Sequence, residues 1–114
     1  MMLVHEFVVL EREETQKEGL SYDILKGKKY IKVNDDIILN NHEDFLHSFK
    51  THWHYIGREK EGLAYHGITI ILNEDLEQFM QVLEKHKKDS DIKNLIALCQ
   101  EALTQKKDIV HFGI

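Results

Sequence analysis

The stretch HEDFLHSFKTHWHYIG, His42–Gly57, decides how the middle of this chain folds. It packs four histidines and four aromatics into sixteen residues. On a helical wheel advancing roughly 100° per residue, Phe45, Leu46, Trp53 and Ile56 all fall within about 60° of Phe49. That is one apolar stripe, suited to docking a helix on a sheet. Asn40 and Asn41 offer an N-cap, and Glu43 and Asp44 suit the positive end of a helix dipole. A helix is therefore predicted from about Asn41 to about Tyr55. On this wheel His42 and His52 flank the buried stripe, whereas His47 and His54 face nearly opposite, toward solvent.

Helical spacing does not give these histidines a metal. His47 and His54 are seven residues apart, about 10 Å at a rise of 1.5 Å per residue. One ion about 2 Å from each ring nitrogen does not bridge that gap. The helical two-histidine motif needs i, i+4 spacing with a glutamate between. A different geometry follows if the helix ends before Thr51. An extended THWHYI would turn His52 and His54 to one face, and a third ligand could come from His66, Glu59 or Glu61.

Outward from this stretch, Met2–Glu11 is rich in β-branched and aromatic residues and reads as a strand. REETQKEG reads as a solvated connection. LSYDILKGKKYIKV reads as a hairpin with Gly27 at its tip, NDD as a turn, and DIIL as a short strand. Leu63–Leu72 is expected to be a strand, with Gly67 marking a bulge. Asn73 is expected to cap a helix running to about Lys88, and Asp89 or Ser90 another with the stripe Ile92, Leu95, Ile96, Cys99 and Leu103. DIVHFGI reads as a last strand that pairs inside the sheet. Early strands and late helices predict an α+β fold. We expect one domain over residues 1–114: a mostly antiparallel sheet of five to six strands with three helices on one face.

The 114 residues suffice for one domain. A hydrophobic share of 42% and a charged share of 31% describe a globular chain. No apolar run approaches the roughly 18 residues of a membrane span. The opening MMLVHEFVVLEREE lacks the basic region and cleavage site of a signal peptide, so the cytoplasm is the expected location. A net charge of −5 disfavours nucleic acid as a partner. A lone cysteine, Cys99, excludes an internal disulfide and a multi-cysteine zinc site.

Other constellations have plainer explanations. Cys99 falls on the apolar stripe of its helix and reads as a small buried hydrophobe. No G-x-S-x-G, G-x-G-x-x-G or P-loop pattern occurs. The paired acids Glu43-Asp44 and Glu74-Asp75 suit helix starts, and Asp35-Asp36 a turn. KGKKYIK reads as a solvated hairpin whose lysines discourage edge pairing. His5 and His111 lie in candidate strands at opposite ends of the chain, and the two rings meet only if those strands are neighbours.

AYHGITIILNEDLEQFMQVLE, Ala64–Glu84, followed by the terminal IVHFGI, resembles the second half of small bacterial immunity proteins, which neutralise toxin domains of polymorphic secreted toxins. The resemblance rests on a strand, a cap, a helix and a last strand. It implies a non-enzymatic inhibitor that occludes a toxin's active surface, with no cofactor and with a basic toxin domain as partner. Under that implication the candidate contacts are Glu11, Glu13, Glu14, Asp35 and Asp36, with Tyr55 and Tyr65. Two other readings stand beside it: a metal- or histidine-dependent enzyme using His52, His54 and His66, and a domain that homodimerises through a sheet edge.

Overall fold

A computed structural model describes residues 3–16, 22–53 and 59–114. In chain order these form β1 (Val4–Leu10), α1 (Arg12–Thr15), a 3-10 turn (Tyr22–Leu25), β2 (Tyr30–Asn34), α2 (Asp35–Asn40), α3 (His42–His47), β3 (Lys50–Trp53) and β4 (Glu59–Glu61). There follow β5 (Ile68–Ile71), a second 3-10 turn (Asn73–Asp75), α4 (Leu76–Glu84), α5 (Ser90–Gln105) and β6 (Asp108–Phe112). The fold is α+β, as predicted. Its six strands lie in the order β2-β1-β6-β5-β3-β4, with every neighbouring pair antiparallel. Among the described residues five helices stand where three were expected, the additional α1 and α2 being four and six residues long.

β6 sits at the centre of the sheet, between β1 and β5. Side chains alternate across a strand, so Phe7 and Ile109 face one side while Val8 and Val110 face the other. Phe7, Val33, Ile71 and Ile109 pack with Ile38 of α2, Phe45 of α3, Phe79 and Leu83 of α4, and Ile92, Leu95 and Cys99 of α5. On the opposite face Val8, Leu10, Ile70, Val110 and Phe112 gather around Leu25. Both faces of the central strands are thus covered, which is why apolar residues occupy both faces of β1 and β6. No helix among the described residues is long and apolar enough to cross a membrane.

The helix predicted over 41–55 is the main correction. α3 stops at His47 and the chain is extended again from Lys50. The reason lies outside the segment. In a continuing helix the Phe45 carbonyl would accept the Phe49 N–H. Here it accepts Leu63 N–H at 2.9 Å, and the Phe49 carbonyl accepts Gly62 N–H at 2.7 Å. Ser48 Oγ donates to the Asp44 carbonyl at 2.5 Å, closing the last turn. Phe45 and Phe49 are buried as the stripe requires, but His42 is exposed rather than flanking the core.

Other boundaries shift for local reasons. DIIL is helical in α2 because Asn34 caps it, its Oδ1 accepting Asp36 N–H at 2.8 Å; Asn41 stands at the N-cap position of α3 as expected, without a side-chain cap bond. Of the predicted hairpin over 20–33, residues 20 and 21 lie outside the described residues, and the rest is a 3-10 turn followed by β2, which pairs with β1. Arg12–Thr15 is a helical turn within the expected connection, and β4 is a strand the sequence reading lacks. The predicted strand Leu63–Leu72 shortens to Ile68–Ile71, because Gly67 N–H folds back to the Ala64 carbonyl at 3.2 Å. The helix placed over 73–88 becomes a 3-10 turn and α4. Its expected cap, Asn73, instead donates Nδ2 to the carbonyls of Ala102 and Lys107 at 3.2 and 2.7 Å. α5 ends as Lys106 turns left-handed at φ 57°, a conformation glycine adopts without steric cost. Lys106→Gly is expected to raise stability by about 0.5–1 kcal/mol in urea unfolding.

Candidate functional site

Where β1 and β6 run side by side, His5 and His111 come together. The β1–β6 register sets Phe7 opposite His111, so His5 lies two residues along on the same face. His5 Nδ1 is 2.8 Å from His111 Nε2, and both rings are fully buried. Three further groups extend the pair into a chain. His5 Nε2 is 2.9 Å from Asp35 Oδ1 at the start of α2. Asp35 Oδ2 accepts the Tyr65 hydroxyl at 2.8 Å. At the other end His111 Nδ1 is 3.2 Å from Thr69 Oγ1, which accepts Ala64 N–H at 2.8 Å.

These partners assign the protons. An ionised Asp35 accepts only, so His5 carries its hydrogen on Nε2 and accepts at Nδ1. His111 then donates from Nε2 and accepts the Thr69 hydroxyl at Nδ1. Every polar atom is satisfied, with both imidazoles neutral. The surroundings agree with that state. Burial holds the His5 pKa below its ordinary value, against the opposing hydrogen bond and charge of Asp35. Burial, followed by the neighbouring His5, holds His111 well below the usual range. The hydrogen bond to Asp35 raises Tyr65 above its ordinary value.

The turn that presents Tyr65 is fixed by the end of β6. Gly113 N–H donates to the Gly67 carbonyl at 2.9 Å, and Ile114 N–H to the Tyr65 carbonyl at 2.8 Å.

At the far end of β1 a second buried carboxylate, Asp108, gathers four donors. Arg12 Nε and one terminal nitrogen reach it at 2.8 and 2.9 Å, Asn73 N–H at 2.8 Å, and Thr15 Oγ1 at 3.1 Å, the one hydroxyl hydrogen being shared with the Arg12 carbonyl at 2.8 Å. Arg12 also pairs with Glu74. Asp108, then Glu74, raises the Arg12 pKa, and Arg12 holds the Glu74 carboxyl below its usual value.

The acids named from the sequence do not form one patch. Glu11, Glu13 and Glu14 follow the C-terminal end of β1, while Asp35 and Asp36 follow β2, which runs antiparallel to it. At about 3.3 Å per residue, the seven residues of β1 hold these groups roughly 20 Å apart. Glu11 stands 3.3 Å from Lys107 Nζ and Glu14 3.7 Å from Lys28 Nζ. Asp36 is exposed, but Asp35, expected on the surface, is buried. Tyr65 is half-buried over it, and Tyr55 lies outside the described residues.

The alternative metal set is dispersed. His52 is half-buried in β3 opposite Ile70, His66 is exposed with Nδ1 3.4 Å from the Ile114 carbonyl, and His54 lies outside the described residues. Among the described residues no three His, Cys, Asp or Glu side chains come together in a way that could hold a metal ion. Burial pushes the Cys99 thiol up to about 12, leaving it protonated and inert at neutral pH.

Sequence reasoning reached the His5–His111 meeting as a conditional and missed its extension through Asp35 and Thr69. The available signal was Asn34, a cap residue one position before Asp35. Comparison of the chain with protein-family models, curated proteins and solved structures gives no match.

Proposed function

We propose that this chain is a non-enzymatic binding protein of the inhibitor type, one that covers a basic surface of a protein partner such as a toxin domain. The observation that carries the reading is the inward use of its reactive groups. His5, His111 and Asp35 spend their polar atoms on one another, on Thr69 and on Tyr65, and Asp108 spends its own on Arg12, Thr15 and Asn73. A general base needs a free position near a reacting proton.

Surface charge supports the choice of partner. From Val33 to Phe49 the chain has no lysine or arginine but four acids, Asp35, Asp36, Glu43 and Asp44. Asp35 is buried, and Asp44 accepts from or pairs with His86 at 2.7 Å. That leaves Asp36 exposed on α2, three residues before Leu39, which is 45% exposed, and Glu43 exposed on α3, 3.6 Å from His42. An exposed apolar side chain next to a carboxylate, on a segment without lysine or arginine, suits a basic partner surface.

The test is isothermal titration against the last domain of a large secreted protein encoded beside this gene. Binding tighter than micromolar is expected, weakened tenfold or more by the pair Asp36→Lys and Glu43→Lys. No heat with that domain, or no such gene, would overturn the inhibitor reading.

One observation favours a second reading, a histidine-based metal site. His52 Nδ1 is buried without a hydrogen-bond partner among the described residues. Stoichiometric zinc in untagged protein, lost in a folded His52→Ala variant, would put that reading first.

A further inference from the structure

The geometry points to the His5–His111 pair as an acid-sensitive latch: taking up protons reverses and then breaks the chain that ties α2 and the Ala64–Gly67 turn to the middle of the sheet. The inference goes beyond the binding reading and does not rest on it.

With Asp35 ionised and both rings neutral, one arrangement satisfies every atom: Thr69 hydroxyl to His111 Nδ1, His111 Nε2–H to His5 Nδ1, His5 Nε2–H to Asp35. A first proton goes onto His5 Nδ1. His111 Nε2 must then accept, so His111 shifts its own hydrogen to Nδ1 and donates to Thr69 Oγ1. Among the described residues Thr69 Oγ1 bonds only to His111 Nδ1 and Ala64 N, and both would now be donors. The Thr69 hydroxyl hydrogen is left without an acceptor in a fully buried position. A second proton sets His5 Nδ1–H against His111 Nε2–H across 2.8 Å. Neither state keeps the chain intact, and a buried unmade hydrogen bond is costly.

The pair has little shelter from this. Burial opposes a charged His5 and outweighs the hydrogen bond and charge of Asp35 from α2 and the charge of Glu6 from β1, while His66 from the turn acts in the same direction as burial. Against His111 stand His5, the Phe7 ring with its centroid 4.9 Å away, and the uncharged Thr69 from β5. Tyr65 and Asp35 bond to each other over His5, which makes the start of α2 and the turn the parts that must lift for water to reach the rings.

The sign follows from linkage. Both rings bind protons less readily folded than unfolded, so the unfolded chain takes up more of them. Stability is full above about pH 6.5 and falls as pH drops below the unfolded histidine value. Each proton taken up on unfolding lowers the folding constant by up to tenfold per pH unit.

Urea unfolding at steps between pH 8 and 5 reads this directly. The folding constant of the unaltered protein is expected to fall by ten- to a hundredfold per unit below pH 6, and His111→Gln is expected to lose one proton's worth of that slope. An equal slope in a folded His111→Gln protein overturns the latch. Should that variant not fold, nitrogen NMR of the unaltered protein decides. The expected result is neutral Nε2–H tautomers for both rings at pH 7.5, with faster exchange of β1 and β6 amides at pH 5.5 after correction for chemical rate. Either ring becoming charged at pH 5.5 with unchanged amide protection also overturns it.

Discussion

Gly62→Ala is expected to destabilise the protein by about 3–5 kcal/mol, enough to leave much of it unfolded at physiological temperature. Two costs combine. Gly62 sits at φ +69°, where an L side chain is strained. A Cβ there would lie 2.1 Å from the Leu46 carbonyl carbon and 2.2 Å from its oxygen. That atom is backbone, so relief requires moving α3. Moving it pulls Phe45 from the core and breaks the bonds from Gly62 and Leu63 to the Phe49 and Phe45 carbonyls. It also displaces the Gly62 carbonyl, which accepts both Thr51 Oγ1 at 2.7 Å and Trp53 Nε1 at 3.0 Å. Gly27→Ala is the control: its φ is +76° but nothing lies within 4 Å of the added atom. It should cost only about 1–2 kcal/mol. Equal losses for the two variants in urea unfolding would remove the close approach as an explanation.

Asp108→Asn is expected to cost a similar amount, about 3–5 kcal/mol, and to lower the melting temperature by roughly 10–20 °C. The substitution keeps the shape of the side chain but puts an NH₂ group among four donors. At least one of Arg12, Thr15 or Asn73 then meets a donor, and Arg12 loses its buried counter-charge. Glu74→Gln removes the other acid on Arg12. Glu74 is 62% exposed, so screening reduces its share to about 1 kcal/mol or less. Comparable melting temperatures for Asp108→Asn and the unaltered protein would show that the fourfold bonding of Asp108 contributes little.

Periodicity exposed the parts of the fold that are locally determined. α5 carries apolar residues at helical spacing, and β1 and β6 are rich in β-branched and aromatic residues, so local composition and spacing place them. The segment His42–Gly57 behaved differently because two backbones compete for the same carbonyls. Its stripe fits a helix, yet residues Gly62 and Leu63 claim the carbonyls of Phe49 and Phe45. Hydrophobic spacing within sixteen residues contains nothing about a partner that follows it. Asp35 shows the same limit for the site. Two adjacent aspartates after an asparagine suggest a turn. The Asn34 cap starts a helix instead and turns Asp35 inward to His5, while Asp36 remains outside. Strand order and register brought His5 to His111, and neither follows from the composition of the two strands.

The central place of β6 also sets the order in which the protein can assemble. His5 and His111 touch across 106 positions of chain. Closing a loop of that length costs about 2 kcal/mol more entropy than closing one of ten residues. The local pairs β1–β2 and β3–β4 can form early and reversibly, but neither shares a strand with the other half of the sheet. Only β6 joins them, through β1 on one side and β5 on the other. Until it docks, two strands that will end in the interior stand as open edges, each able to recruit the wrong neighbour. The histidine pair lies on that seam, so the last contact to form is also the one most sensitive to protons.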